Sequence, residues 1–198
     1  MPRADLLLRK TPRQRRATLT VDVLLEAAAQ VLEADGLAGF NTNAVARRAG
    51  VSVGSLYQYF PSKQALTLAL LRREDALFHQ EAGAGLALPT CREAIGHLIA
   101  VAARQQLTRP QMARLLDEEE GRPEFRAALA DGPDFQALID AMLDLPGAPS
   151  GLRREYAAAD LLAMMRGMTD SAGGRGERDV ADLSRRIGAA MFGYLDAF

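Results

Sequence analysis

The stretch from Thr42 to Lys63, TNAVARRAGVSVGSLYQYFPSK, constrains the fold more than any other part of the 198-residue chain. Its first apolar-periodic segment ends at Gly50, because glycine adopts the left-handed conformation after a helix at little cost. Ser52 can cap a second short helix, which Pro61 breaks, and Ser62 can cap a third. Two short helices joined by a tight, glycine-containing turn are typical of a helix-turn-helix, which places its second helix in the DNA major groove.

Individual positions within this stretch follow an ordered signature. The matching positions are Thr42, Val45-Ala46, Ala49-Gly50-Val51-Ser52, Gly54, Leu56-Tyr57, Tyr59-Phe60 and Lys63. Together they resemble the DNA-binding signature of TetR-family transcriptional regulators. The resemblance covers roughly the first third of the chain, and the remainder matches no motif. It implies an N-terminal DNA-binding domain and a C-terminal helical domain that binds an effector and dimerises through its last two long helices.

The predicted recognition helix runs from about Val53 to Phe60. With Leu56 and Phe60 facing the core, the outward positions can meet base edges: glutamine suits adenine, valine suits a thymine methyl, and serine can donate or accept. Gly54 lets the backbone approach the groove wall, at a helix-propensity cost of about 1 kcal/mol. The candidate DNA-binding residues of this helix and its cap are Ser52, Val53, Gly54, Ser55, Tyr57, Gln58 and Tyr59.

Phosphate contacts are expected around these readers. Thr42, interpreted as a helix N-cap, offers a hydroxyl and free amides, and Arg47 points outward on the same helix. Lys63 is a poor choice for the first turn of a helix, so a nearby anion explains it better. The family resemblance implies that the Tyr59 hydroxyl reaches a phosphate. For Tyr57, a half-buried core aromatic is as good an interpretation as a DNA contact.

Helical periodicity, with no strand-like alternation, predicts an all-α fold along the rest of the chain. Residues 1–17 are polar and basic and predict a disordered arm, which can follow DNA phosphates or remain a solvated tail. A helix is expected from about residue 21 to residue 34, and a long connecting helix from about 63 to 82. The predicted division is an arm at 1–17, a helix-turn-helix domain at 18–64 and an effector-binding and dimerisation domain at 65–198.

Charge is distributed unevenly along the chain. Residues 1–72 hold ten Lys or Arg and five Asp or Glu, whereas residues 73–198 hold fourteen and twenty. A basic N-terminal part joined to an acidic remainder favours a polyanion contact by the first part alone. Such an uneven distribution of charge also arises by chance. It therefore supports the DNA-binding prediction but is not sufficient for it.

The last predicted helix carries an apolar seam at alternating three- and four-residue steps. Its candidate dimer-interface residues are Val180, Leu183, Ile187, Ala190, Met191 and Tyr194. A monomer can bury this seam internally, and the resemblance favours a symmetric dimer instead. Methionine and aromatic residues upstream can line an adaptable apolar pocket, although the same residues also suit an ordinary helical core. The candidate pocket residues are Phe78, Met112, Phe135, Met142, Met164, Met165 and Met168.

Other functional classes find little support in the sequence. Cys91 is the single cysteine and is interpreted as a small buried apolar residue, and His79 and His97 lack metal-binding spacing. There is no nucleophile motif, phosphate-binding glycine loop or span-length apolar run, so we expect neither an enzyme nor a cofactor nor a membrane partner, and a cytoplasmic location.

The sequence therefore predicts a sequence-specific regulator, a homodimeric repressor released from its double-stranded DNA operator by a largely apolar small molecule. Two alternatives stay open. One is a DNA-binding protein whose second domain only dimerises. The other is a helical small-molecule carrier or protein-interaction module with a degenerate helix-turn-helix.

Overall fold

The computed structural model describes residues 15–120, 122–132 and 134–198, and these residues form helices with no strand among them. The α-helices are α1 (Arg15–Gly39), α2 (Thr42–Arg48), α3 (Val53–Tyr59), α4 (Lys63–Gly83), α5 (Cys91–Thr108), α6 (Pro110–Glu120), α7 (Pro123–Leu129), α8 (Phe135–Leu143), α9 (Arg154–Gly174) and α10 (Val180–Leu195). A short 3-10 helix, Ala84–Ala87, connects α4 to α5. The predicted all-α fold class is confirmed.

Helix α1 is longer than the sequence predicted. It begins at Arg15 and extends to Gly39, with Gly36 as a non-helical residue inside it (φ 64°, ψ −173°). The predicted span of 21–34 was too short because no helix-breaking residue lies between Arg15 and the apolar stripe. The helix thus begins inside the segment predicted as an arm, and residues 1–14 lie outside the described residues.

The other corrections to helix boundaries concern the C-terminal half. Helix α9 was predicted to stop near residue 171, before a linker at 172–176, but it continues through two further glycines to Gly174. The chain then turns at Gly176, which has a φ of 70°. Each glycine lowers helix propensity by about 1 kcal/mol, and tertiary packing overrides a cost of that size. The predicted loop at 146–151 is present between α8 and α9.

The folded chain consists of two compact units that are discontinuous in sequence. Unit 1 contains the residues up to Glu74 together with Leu115–Asp131, and unit 2 contains Asp75–Arg114 and Gly132–Phe198. The division predicted at residues 64 and 65 concerns function and stays a prediction.

The buried core of unit 1 is formed by side chains from five helices and from the loop around Phe40. The fully buried side chains include Leu24, Leu32, Phe40, Val45, Leu56, Phe60, Leu66, Leu70 and Phe125. Helix α7 joins this unit through a side-chain contact as well, because Arg72 Nη2 of α4 donates to the carbonyl of Ala128 at 2.6 Å. A segment far along the chain therefore helps to hold the helix that follows the helix-turn-helix.

Unit 2 is organised around α5, which packs against α8, α9 and α10. Its buried core includes Ile95, Leu98, Ala103, Leu138, Met142, Leu161, Leu183, Ile187 and Met191. Cys91 is buried in the same core, and burial raises the pKa of its thiol. A protonated, buried thiol agrees with the structural role predicted for it.

Two further observations concern the described part of the chain only. None of its helices is both long and apolar enough to cross a membrane. Within the same residues, no group of three or more His, Cys, Asp or Glu side chains is arranged to hold a metal ion.

Candidate nucleic-acid interface

The N-cap of helix α2 lies one residue earlier than the sequence predicted. Asn41 is the N-cap: its side-chain oxygen accepts from the amide of Ala44 at 2.9 Å, and its Nδ2 donates to the carbonyl of Gly39 at 2.9 Å. The predicted cap, Thr42, is instead the first helical residue. Asparagine caps a helix at least as well as threonine, so adjacent Asn and Thr left the position ambiguous. The Thr42 hydroxyl is therefore free of a capping role.

The turn between α2 and α3 has the geometry that the sequence predicted. Gly50 has a φ of 70°, and the amide of Val51 donates to the carbonyl of Ala46 at 3.0 Å. Ser52 caps α3 by accepting from the amide of Ser55 at 3.0 Å, and the two serine hydroxyls lie 2.8 Å apart. The turn therefore fixes the start of α3, with the Ser55 hydroxyl tied to the cap.

Helix α3 separates a buried side from an exposed side. Leu56 and the following Phe60 are fully buried, as predicted. On the other side, Gly54, Tyr57 and Gln58 are exposed, while Val53, Ser55 and Tyr59 are half-buried. A side chain at Gly54 would meet only Ser52 Oγ, at 3.8 Å, which is an ordinary contact. The N-terminal end of α3 around Gly54 is therefore not covered by other described side chains of the unit.

The Tyr57 side chain is accessible to solvent over part of its surface. It is 40% exposed, and its hydroxyl lies 3.2 Å from the Thr42 hydroxyl of α2. This exposure is compatible with a DNA contact and also with a half-buried aromatic, so both interpretations stay open. The sequence did not predict this contact, because residues 15 positions apart on two helices give no periodic signal.

Three exposed cationic side chains flank α3 along the sequence. Arg47 and Arg48 are exposed in the last turn of α2, where positive charge also suits the helix dipole. Lys63 is the exposed first residue of α4, and its Nζ lies 5.2 Å from the centre of the Phe40 ring. This cation–π contact offsets part of the electrostatic cost of placing a positive charge at the N-terminus of a helix. A nearby anion is therefore not the single explanation for a lysine at this position.

Ser62 caps α4 as predicted, by accepting from the amide of Ala65 at 3.0 Å. The end of α3 and the start of α4 are therefore fixed by local contacts. Hydroxyls from α2 and α3, cations from α2 and α4, and the Gln58 amide from α3 all belong to unit 1. Donors and cations of this kind suit phosphate oxygens, and an exposed glutamine suits a base edge.

The predicted pocket residues lie in α4, α6, α8 and α9. Met112, Met142 and Met165 are buried, whereas Phe78, Met164 and Met168 are partly buried against the core of unit 2. The Phe78 and Phe135 rings are 5.3 Å apart, centre to centre. His79 and the Arg166 guanidinium lie 5.7 Å and 6.0 Å from the Phe135 ring. The structure thus brings the two predicted aromatics together and adds two polar neighbours that the sequence did not single out.

Three of the six predicted dimer-interface residues on α10 need correction, and the other three stay predictions. Leu183, Ile187 and Met191 are 0% exposed in a single chain, so their side chains are unavailable to a second one. Periodicity identified an apolar face but could not show that α5 and α9 cover it. Val180, Ala190 and Tyr194 are half-buried, and the Tyr194 hydroxyl donates to Asp160 of α9 at 2.9 Å. Burial and the Asp160 carboxylate raise the pKa of that tyrosine.

A different face of α9 and α10 is exposed. It contains Tyr156, Ala159, Ala163 and Gly167 of α9, and Ala181, Arg185, Ala189 and Gly193 of α10. We call these eight residues the outer face. Small side chains predominate in it, and they permit close approach by another helix.

Comparison with known proteins places these features in a family. The family model of bacterial regulatory proteins of the tetR family matches residues 24–70. An HTH-type transcriptional regulator from Mycobacterium tuberculosis is 31% identical over 144 residues, covering 64% of this chain and 70% of that protein. The HTH-type transcriptional repressor DrrR1 of Streptomyces coeruleorubidus is 40% identical over 65 residues, which cover 33% of this chain and 24% of the repressor.

Solved structures extend the likeness of the fold beyond the helix-turn-helix. The regulator FadR from Bacillus subtilis, crystallised in complex with stearoyl-CoA, superposes with a TM-score of 0.70 at 17% sequence identity, covering 86% of this chain and 96% of FadR. The match to the family model falls on the capped helix-turn-helix described above, and the mycobacterial relative extends the sequence similarity past it. The chain therefore belongs to the TetR family of transcriptional regulators.

Proposed function

We propose that this regulator is a homodimeric repressor that binds a double-stranded DNA operator through unit 1 and is released by a largely apolar small molecule bound in unit 2. The observation that carries the DNA-binding proposal is the two-sided helix α3. Leu56 is buried on one side of the helix, while Gly54, Tyr57 and Gln58 are exposed to solvent on the other. The helix-turn-helix that contains them is capped at Ser52.

The exposed side chains divide by chemistry into two roles. Gln58 and Val53 are proposed to read base edges, because an amide can pair with adenine and a branched apolar group can contact a thymine methyl. Thr42, Tyr57, Tyr59, Arg47 and Lys63 are proposed to contact phosphates, which positions the protein without reading sequence. Since DNA is the partner, we place the protein in the cytoplasm.

A dimer suits this function because two recognition helices can then meet successive major grooves, about 34 Å apart. The outer face is the proposed interface, in place of the buried seam. Its small side chains and the exposed Tyr156, at 52%, support this proposal. Within each chain, the half-buried Tyr194 of α10 donates a hydrogen bond to the exposed Asp160 of α9, which links the two helices.

The proposed effector site lies at the partly buried rings of Phe78 and Phe135. Aromatic surface with nearby His79 and Arg166 suits an apolar molecule that carries a polar or anionic group. FadR of B. subtilis, of similar fold, was crystallised with stearoyl-CoA, which has that character. Effector binding at this cluster in unit 2 is then proposed to lower operator affinity by coupling between two sites.

The DNA-binding proposal is tested by selecting operator fragments from genomic DNA and measuring affinity by fluorescence anisotropy at several salt concentrations. Lys63→Ala should weaken binding to every duplex and reduce the slope of log K against log salt by about one. Gln58→Ala should relax preference at a base position, at a cost of about 1–3 kcal/mol on the operator.

Arg178→Ala is the matched control, because Arg178 is an exposed cation of unit 2. It should leave both affinity and salt slope unchanged. If no genomic fragment is bound selectively, the carrier or protein-interaction alternative replaces the repressor. An unchanged salt slope for Lys63→Ala would remove that residue from the phosphate contacts.

The effector proposal is tested on the same operator complex. Stearoyl-CoA is the first probe, and coenzyme A alone is the control for its polar part. Release by stearoyl-CoA, weakened by Phe135→Ala and unaffected by Leu86→Ala, supports the proposed cluster, since Leu86 is exposed outside it. Absence of release by stearoyl-CoA would contradict a long-chain acyl effector and favour a second unit that only dimerises.

A further inference from the structure

A groove lies between α1 and α4 within unit 1. It has a volume of about 190 Å³ and is partly open to solvent. Two arginines of α4, Arg72 and Arg73, line it together with five apolar residues: Val21, Leu25, Ala65, Leu68 and Ala69. The residues of the proposed effector cluster belong to unit 2, so this groove is a separate feature.

The shape of the groove follows from the spacing of its lining residues. Ala65, Leu68, Ala69 and Arg72 are three or four positions apart, or adjacent, and therefore share one face of α4. The seven positions from Ala65 to Arg72 span about 10 Å along the helix axis. Two of the four side chains on this stripe are alanines, which fill little of the space beside α1. A narrow apolar groove of this length suits an extended alkyl chain.

The two arginines of the groove differ in how their charge is balanced. Arg73 Nη2 lies 2.8 Å from a carboxylate oxygen of Glu74 and 3.5 Å from one of Glu26, so its charge is neutralised within unit 1. Arg72 makes its hydrogen bond with an uncharged group, because its Nη2 donates to the Ala128 carbonyl at 2.6 Å.

Arg72 can therefore serve an anion as well. Its side chain is exposed, and a guanidinium has five N–H donors, of which the contact with Ala128 uses one. The planar fork of a guanidinium matches a carboxylate in particular. The groove thus combines an apolar lining with a cation whose charge is still available to a ligand.

We propose that the groove between α1 and α4 binds an amphiphilic carboxylate, with the alkyl chain against the apolar lining and the carboxylate at Arg72. The site lies in the unit that contains the helix-turn-helix, and it is additional to the proposed effector cluster. It does not depend on release from DNA, so operator binding and occupancy of this groove are measured independently.

Octanoate is the probe, because it has an alkyl chain of moderate length and is ionised at neutral pH. Methyl-labelled full-length protein is titrated and followed by NMR. The methyl signals of Val21, Leu25 and Leu68 should shift saturably and show nuclear Overhauser contacts to the octanoate chain. 1-Octanol, which has the same chain without the charge, should bind about fivefold more weakly.

Two substitutions test the two parts of the site. Ala69→Leu fills the groove from a half-buried position and should abolish the saturable shifts. Arg72→Gln should weaken octanoate binding about fivefold and leave 1-octanol binding unchanged, because the glutamine amide still carries donors but no charge.

Three control variants accompany them. Ala76→Leu is the matched control for the filled groove, since Ala76 is an exposed alanine of α4 that does not line it. Arg178→Gln removes an exposed cation of unit 2, and Phe135→Ala changes the proposed effector cluster. All three should bind octanoate at the groove like the wild type.

Absence of saturable shifts at the three methyl groups would overturn the inference. Equal affinity of the wild type for octanoate and 1-octanol would overturn it too, because the ligand would then be a neutral apolar molecule. Shifts of the same signals on dilution without octanoate would show that a second copy of the chain covers the groove. If Ala69→Leu fails to fold, the ratio of octanoate to 1-octanol affinity in Arg72→Gln decides the matter alone.

Discussion

Gly54 combines an exposed position with a helical backbone that any residue can adopt. It is absent from the glycines of positive φ, and a Cβ there would meet nothing closer than Ser52 Oγ at 3.8 Å. The fold of a single chain therefore gives no reason for a glycine. Close approach of the α3 backbone to DNA supplies one, because a methyl group would lie between the helix and the groove wall.

Gly54→Ala should consequently stabilise the protein and weaken operator binding. We expect the free energy of unfolding to rise by about 0.5–1 kcal/mol, from improved helix propensity. Operator affinity should fall about tenfold, equivalent to about 1.4 kcal/mol. Chemical denaturation and anisotropy on the same samples measure the two effects.

Gly50→Ala is the matched control for that experiment. Gly50 also has free space around its Cβ position, but its φ is 70°. Alanine there should destabilise the protein by about 1–2 kcal/mol, since the left-handed conformation is strained for it. A Gly54→Ala variant that binds the operator like the wild type would contradict a backbone approach at this position.

Local rules correctly predicted the capping and turn roles of several residues in the helix-turn-helix and failed for one residue. The roles of Gly50, Ser52 and Ser62 follow from propensities within a few residues of each, and all three are confirmed. Thr42 was assigned to the cap because the sequence places two capable residues side by side, and the backbone conformation of Asn41 decides between them. The Thr42–Tyr57 contact depends on the angle between two helices, which no local pattern encodes.

At the scale of elements, α10 shows what periodicity can and cannot predict. The apolar repeat correctly indicated a helix with one buried face. It could not indicate whether α5 and α9 of the same chain or a second chain cover that face, because burial depends on contacts distant in sequence. The buried residues Leu183, Ile187 and Met191 belong to the first case.

The junction between α9 and α10 is held by a cluster of charges. Glu177 accepts from Arg175 Nε at 2.8 Å and also pairs with Arg186, which in turn donates to Asp182 at 2.8 Å. Hydrogen bonding from Arg175 lowers the pKa of Glu177, and hydrogen bonding from Arg186 lowers the pKa of Asp182. A carboxylate whose pKa is lower in the folded state stabilises that state above its ordinary pKa.

Glu177→Gln should therefore lower the free energy of unfolding at pH 7. The difference from the wild type should shrink as the pH falls below 4.5, the ordinary value for glutamate, because the wild-type carboxylate then becomes protonated as well. Urea denaturation at a series of pH values measures this. Glu155→Gln is the control and should cause a smaller loss, since Glu155 pairs with Arg153 alone at 3.1 Å. A difference that persists unchanged at about pH 3 would contradict an electrostatic origin.

At the scale of the whole molecule, the outer face is where a second chain is proposed to bind. Ala163 of α9 is an exposed member of this face. Ala163→Glu should shift the protein toward monomer, because a carboxylate buried without a partner between close-packed helices is costly. Light scattering after size-exclusion chromatography measures the mass, and operator affinity should fall with it.

Ala100→Glu is the corresponding control for the oligomeric state. Ala100 is an exposed alanine of α5, outside the outer face, so glutamate there should leave the dimer intact. If Ala163→Glu elutes with the same mass as the wild type, the interface lies elsewhere. The exposed face could be identified only from the structure, since the sequence pattern pointed to the buried one.

The fold class could be predicted because glycine and proline divide the chain into helix-sized segments of helical period. The sequence could not predict which segments of the chain belong to each compact unit. Leu115–Asp131 belongs with the helix-turn-helix in unit 1, and Phe125 of α7 is 1% exposed there. This association joins segments that are far apart along the chain, and helical periodicity carries no information about it.

The discontinuity of unit 1 has a consequence for recombination within the family. A chimera that exchanges only residues 1–74 between two relatives would pair α4 of one parent with α7 of the other. The Arg72 contact to Ala128 and the buried site of Phe125 would then both cross the parental boundary. Exchange of DNA specificity by a single crossover is thus penalised in this chain, and a functional graft requires residues 115–131 to travel with the head.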